Sequence, residues 1–327
     1  MPLPLKTGDL LRGRYKIKRI IGQGGMGSIY LAEDTRLKGR LCALKEVEHD
    51  KSLSKNLNKQ AQDQFLQEAT ILARLDHPNL PKVSDYFSIG DRDYLVMDYV
   101  PGDDLRTLML KAKHQEKFLK EKEVRLWANQ LADALIYLHT QDPPILHRDI
   151  KPSNLKLTPS GLLKLVDFGL VKVMVPGEMT ITIIQGQGTA LYTPLEQYGG
   201  NSAHTDIRSD IYSFGATLYH LLTNTPPADA RERFIQPKSM KPPRSINPAI
   251  SQQMERAIFW AMNLHPDERP QSMMQLKDYF TGRSTSIESK VPDMDEIKEL
   301  TSDAVIRKLL IAAAALTAFG FIAAVFF

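Results

Sequence analysis

From Tyr15 to Val47 apolar and polar positions alternate in three short runs: "YKIKRII" (15–21), "SIYLAED" (28–34) and "LCALKEV" (41–47). Turn-rich pieces separate them, a pattern that predicts an antiparallel meander. The period then changes. In "QAQDQFLQEATILARL" (60–75), Phe65, Leu66, Ala69, Leu72 and Leu75 fall near one face of a helix. A loop, "HPNLPKV", precedes a further strand, "DYLVMDYV" (93–100). Beyond Pro101–Gly102 the spacing is helical, in "EVRLWANQLADALIYLHT", "DIYSFGATLYHLLT" and "QQMERAIFWAMNL". A strand-rich first hundred residues before a mostly helical remainder predicts an α+β fold in two lobes. The lobes are expected at residues 12–100 and 101–281. No internal repeat is visible.

The C-terminal end has a different character. After a polar, weakly patterned linker (282–308), "LLIAAAALTAFGFIAAVFF" runs from Leu309 to Phe327 without a charge. As a helix these residues span about 28 Å, close to the hydrocarbon thickness of a bilayer. A buried core helix would carry a polar stripe at helical spacing, and this run has none. The expectation is a single-pass transmembrane helix over 309–327. Arg307 and Lys308 just before it would keep the preceding domain on the cytoplasmic side. The first residues, "MPLPLKTGDLL", contain no apolar run of signal-peptide length.

Composition narrows the choices further. The chain has 327 residues, 43% hydrophobic and 24% charged, ordinary values for a globular protein with a sizeable core. A net charge of +4 without a basic stripe interleaved with aromatics gives no case for nucleic acid as a partner. The lone cysteine, Cys42, excludes an internal disulfide and reads as a small apolar strand residue. Neither CxxC nor HExxH occurs, so a structural zinc has no support.

The chemistry-bearing residues come in order. "IGQGGMGSI" places glycines at 22, 24 and 27 in the spacing G-x-G-x-x-G. In a dinucleotide-binding unit a helix would follow. Here a strand follows, so the glycines sit at a hairpin tip, either a flexible turn or a cover for phosphates. Lys45 in "CALKE" lies on the strand face opposite Cys42 and Leu44. An exposed lysine is its plain reading, and V-A-I-K is the signature whose slot it fills. Glu68, set among apolar residues on the following helix, is an odd place for an unpaired carboxylate. "HRDIKPSN" matches H-R-D-L-x-x-x-N with Ile150 for leucine, and "DFG" starts at Asp167.

These five elements in this order resemble the eukaryotic-type protein serine/threonine kinases, most of all their bacterial membrane-anchored members. The resemblance covers residues 12–281 and implies a bilobed fold with ATP between the lobes. It implies Asp149 as acceptor of the substrate hydroxyl proton, with Lys151 beside it. Lys45 would hold the α- and β-phosphates and pair with Glu68. Asn154 and Asp167 would bind Mg²⁺, or Mn²⁺ in its place. The nucleotide would be enclosed by Ile21, Gly22, Gln23, Gly24, Gly25, Met26, Gly27, Ser28 and Ile29, with Ala43, Met97, Asp98, Val100 and Lys156 around the base. Asp210 would brace the catalytic loop, and Glu196 and Arg269 would form a structural ion pair. Thr189 and Lys151 fit serine/threonine specificity, and protein Ser/Thr hydroxyls are the implied acceptors. Thr180 and Thr182 are the expected autophosphorylation sites, reached in trans by a transient homodimer. Two departures stand out: Leu195 replaces the proline of A-P-E, and Lys156 replaces the usual apolar floor under adenine, with Asp103 or Asp104 expected nearest its ammonium. The alternative to an active enzyme is a membrane-bound pseudokinase scaffold. Loss of Lys45, Asp149 or Asp167 would favour it, and all three are present.

Overall fold

A computed structural model describes residues 4–24, 27–48, 55–167, 172–173, 190–198 and 205–284. The chain divides into two compact units, 1–285 and 286–327, and every described residue belongs to the first. The expected membrane span at 309–327 lies outside the described residues. Among those described, no helix is long and apolar enough to cross a membrane.

The predicted meander is the centre of a six-stranded antiparallel sheet. Its strands are β1 (Leu10–Leu11), β2 (Tyr15–Gly24), β3 (Gly27–Asp34), β4 (Leu41–Glu48), β5 (Val83–Ile89) and β6 (Arg92–Asp98). They lie in the order β1-β2-β3-β4-β6-β5. Alternation sends Tyr15, Ile17, Tyr30, Cys42, Leu44, Phe87, Tyr94 and Val96 into one buried cluster. Within it Phe87 stacks on Tyr15 at 5.7 Å and on Tyr94 at 5.1 Å between ring centroids. Glu46 is on the same face and is buried, yet it is fully satisfied. Its carboxylate accepts from the Tyr30 and Tyr94 hydroxyls (3.0 and 2.9 Å) and pairs with Arg92 at 2.7 Å. An acid without such donors there would be costly.

The opposite face carries Ala43, Leu95 and Met97 into the main core, joined by Ala69, Leu72 and Leu75. Of these, Ala69 and Leu72 lie on helix α1 (Lys55–Arg74), and Leu75 follows it directly. Helices α2 (Leu105–His114), α3 (Glu121–His139), α4 (Ile207–Thr223), α5 (Ala230–Ile235), α6 (Pro243–Ile246), α7 (Gln252–Ala261) and α8 (Met273–Thr281) build the second lobe. Helix α4 is buried on nearly every side, and its polar Ser209, Asp210, Ser213 and Thr217 are buried along with its apolar residues. Its neighbour α7 comes so close that a Cβ on Gly215 would lie 2.8 Å from the Ala261 Cβ. Short strands β7 (Ile145–Leu146), β8 (Leu155–Leu157), β9 (Leu163–Leu165) and β10 (Lys172–Val173) form two small ladders, β7 with β10 and β8 with β9. They hold the loops that face the sheet lobe.

Candidate active site

The catalytic-loop residues sit between β7 and a single 3-10 turn, Pro152–Asn154. Arg148 and, further on, Asp167 adopt left-handed backbone, with φ of 63° and 67°. Non-glycine residues are rarely held there unless their surroundings fix them. For Arg148 the fixing group is Asp210, fully buried on α4. One carboxylate oxygen accepts from the His147 N–H and the other from the Arg148 N–H, both at 2.8 Å. The Nε2 of His139 lies 3.0 Å from the same carboxylate. Burial would raise the Asp210 carboxyl, but these partners outweigh it and hold it below the usual carboxylate range. Burial also pushes the His147 imidazole down, against the pull of Asp210, Asp149 and Asp167.

Asp149 projects from this fixed backbone. Lys151 Nζ lies 2.8 Å from one of its oxygens, and Asn154 Nδ2 donates to the other at 2.8 Å. The same Nδ2 also donates to the Asp149 carbonyl, at 2.8 Å. With its nitrogen so engaged, Asn154 has its amide oxygen left for a cation. Asp167 pairs with the Lys45 ammonium across the lobes. Burial opposes ionisation of Asp167, and the charge and hydrogen bond of Lys45 reverse that, so its pKa is lowered. Lys45 is opposite Ile29 on β3 and Leu95 on β6, so the sheet fixes its direction.

A cleft of about 730 Å³ separates the lobes, within the range of small-ligand sites. Its walls include the expected Ile21, Gly22, Gln23, Gly27, Ile29, Ala43, Lys45, Met97, Asp98, Val100, Asp149, Lys151, Asn154, Lys156 and Asp167. The glycine hairpin closes by pairing Gly24 with Gly27. At Gly27 a Cβ would come within 2.0 Å of the Glu46 carbonyl, so only glycine allows that closeness. Gly25 and Met26 at the tip lie outside the described residues, as do Phe168, Gly169, Thr180, Thr182 and Thr189.

Several expectations are corrected. Ser28 is buried in β3 and is not among the residues that line the cleft. Glu68 is half-buried on α1 outside the cleft wall, and its charge acts on the Arg148 guanidinium. The ion pair shown for Lys45 is with Asp167. Neither Asp103 nor Asp104 pairs with Lys156. Asp103 is 2.6 Å from Lys111, and Asp104 caps α2 by accepting from the Thr107 N–H at 2.8 Å. What joins Asp104 to Lys156 is a backbone bridge. The structural ion pair is present: Arg269, buried, makes two bonds to Glu196 at 2.6 and 3.0 Å. Leu195 sits in a 3-10 turn with Pro194 as its cap, so the altered turn still delivers Glu196. Arg19, Gly102, Asp104, Arg106 and Ser153 also line the cleft. Apart from Asp104, expected near Lys156, the sequence assigns no chemical role to them.

Among the described residues no group of three or more His, Cys, Asp or Glu forms a ready metal site. Mg²⁺ does not require one, since it keeps several waters and takes one or two carboxylates plus phosphate oxygens. Asn154 and Asp167 supply hard oxygen donors of that kind.

Comparison with known proteins gives the same picture. The family described as "Protein kinase domain" matches residues 15–281. A probable serine/threonine-protein kinase of Streptomyces coelicolor is 36% identical over 277 residues, 82% of this chain and 39% of that protein. A DNA damage-responsive serine/threonine-protein kinase of Deinococcus radiodurans is 32% identical over 280 residues, 83% of this chain and 39% of that one. The chain therefore spans about two fifths of the length of these relatives. The crystal structure of the Mycobacterium tuberculosis PknI kinase domain aligns with a TM-score of 0.66 at 26% identity, over 86% of this chain and all of that one. The chain belongs to the protein kinase family, in its eukaryotic-type serine/threonine branch.

Proposed function

We propose that this chain transfers the γ-phosphoryl group of ATP to serine and threonine hydroxyls of proteins. The observation that carries the reading is the convergence of Asp149, Lys151, Asn154, Asp167 and Lys45 on one cleft roofed by a glycine hairpin. Phosphoryl transfer needs little covalent help from the protein; it needs positioning and offset charge. Asp149, held by Lys151 and Asn154, accepts the proton of the attacking hydroxyl and aims its oxygen. Lys45, paired with Asp167 here, would steady the α- and β-phosphates. Asn154 and Asp167 would hold Mg²⁺, which when bound would supply positive charge to offset that of the phosphates. Mn²⁺ has the same preference for oxygen and could take its place. The hairpin excludes water, Ala43 and Ile29 cover the base, and backbone groups of Asp98 and Val100 read its edge, with Met97 behind. Incubating the purified full-length chain with labelled ATP, Mg²⁺ and a generic phosphoacceptor protein tests this. Label on serine or threonine, lost on Asp149→Asn, supports it; label that survives that change overturns it. The scaffold alternative has no residue in its favour.

Three finer readings belong to the same proposal. Thr180 and Thr182 are autophosphorylated in trans within a transient homodimer, where a phosphate would add charge that Arg148 can meet. Mass spectrometry of active protein with no phosphate on either threonine would remove this idea. The uncharged run at 309–327 anchors the chain in a membrane, with the kinase domain on the cytoplasmic side. Residues 282–308 are the linker between them.

A further inference from the structure

We infer that this kinase selects protein substrates by acidic side chains flanking the acceptor hydroxyl, and that Arg106 reads them. The inference rests on the kinase reading above and names the substrate class for the same cleft. Arg106 lies in the first turn of α2, on the wall it shares with Asp149 and Lys151. A cation there faces the positive end of the helix dipole, so its position costs stability. It is exposed and has no carboxylate partner among the described residues. The acids beside it are already engaged, Asp103 by Lys111 and Asp104 as the cap of α2. An unpaired arginine placed against its own helix is placed for something outside the fold.

The ground next to it has the same sign. Tyr192 and His220 form a pair on the second lobe, the Tyr192 hydroxyl 2.6 Å from His220 Nδ1. The charges acting on His220 are those of Lys113 and Arg106; those acting on Tyr192 are Arg106 and Asp149. Asp149 acts on Tyr192, and the charges acting on His220 are both positive. Burial lowers His220 to about 4, with both cations pushing the same way, so near neutral pH the ring is uncharged. Lys113, which also donates to the Asn224 carbonyl at 3.3 Å, extends the positive strip along α2. An extended peptide advances about 3.3 Å per residue, so side chains a few positions from an acceptor held at Asp149 can pass along this strip. Glutamate or aspartate there meets a fork of donors suited to carboxylates; lysine meets repulsion.

The test uses the full-length chain as wild type, Arg106→Glu and Arg106→Lys, with three peptides. Each peptide carries one threonine flanked on both sides by glutamates, by alanines or by lysines. kcat/KM is measured at saturating ATP, together with KM for ATP. Wild type should favour the glutamate peptide over the alanine peptide by up to about fivefold, the upper end for an exposed ion pair. Arg106→Glu should reverse the order and favour lysines, and Arg106→Lys should keep a weaker acidic preference. Added salt should shrink every difference, since the strip is open to solvent. Equal rates for glutamate and alanine in wild type would overturn the inference, and so would an unchanged preference in Arg106→Glu. A change confined to KM for ATP would overturn it too, by assigning Arg106 to the nucleotide. Inactivity toward all peptides and a generic acceptor would instead end the kinase reading, and this inference with it.

Discussion

Asp149 owes its place to three neighbours of different kinds: a cation at 2.8 Å, an amide at 2.8 Å and a backbone tied to a buried carboxylate. Asp149→Asn keeps the shape and removes the proton acceptor, so kcat should fall at least about a hundredfold, the low end for a general base. Asp167→Ala removes the partner of Lys45 and the carboxylate offered to the metal, and steady-state kinetics should register a loss at least as large. Lys156 is a different case. It lines the cleft and has no ion pair among the described residues; a fully buried ammonium would be costly, so under the proposed function its methylene stem would serve as floor and its head would reach water. Lys156→Leu should therefore shift ATP affinity by no more than about tenfold, or 1.4 kcal/mol. Lys156→Asp sets an anion beneath the base and should weaken binding much more. Calorimetric titration of both variants checks this, and identical affinities would remove Lys156 from the nucleotide site.

At the scale of elements, alternation made β2, β3 and β4 readable because one face of the sheet is a packed cluster and the other meets the cleft. Strand β5 was not readable. Ser84 and Asp85 interrupt its apolar pattern, and Asp85 accepts from the Tyr15 hydroxyl at 2.6 Å across the sheet rather than facing water. Glu46 was missed for a related reason, since one chain cannot reveal that two tyrosines and an arginine from other strands converge on it. Most of the site could be read because its residues lie in short local motifs. The Tyr192–His220 pair and Arg106 depend on distant elements meeting and could not be. Element positions also carry a stability prediction. Arg269 is wholly buried and bonded to Glu196 and to the Asn263, Arg208 and Leu264 carbonyls. Arg269→Ala leaves the Glu196 carboxylate uncompensated and should cost about 3–5 kcal/mol. Urea unfolding monitored by fluorescence would register it, and a midpoint within error of wild type would contradict the pairing.

At the scale of the whole molecule, the linker proposed at 282–308 implies that the kinase domain should work without its tail. A chain ending near residue 300 should stay in solution and keep its phosphotransfer rate, whereas the full chain should sediment with membranes. Carbonate and high salt should not extract the full chain; release by salt alone would mean surface attachment. The clasp on Asp210 has a consequence of its own. The segment 147–148 is a loop by shape, yet its two amides are bonded to a buried carboxylate on a helix that is enclosed along nearly its whole length. In deuterium exchange such amides cannot open by local breathing; they wait for α4 itself to unfold. Labelling should therefore find His147 and Arg148 as slow as the centre of α4, and fast exchange at both would contradict the clasp. The catalytic backbone should then hold its shape for as long as α4 stays folded.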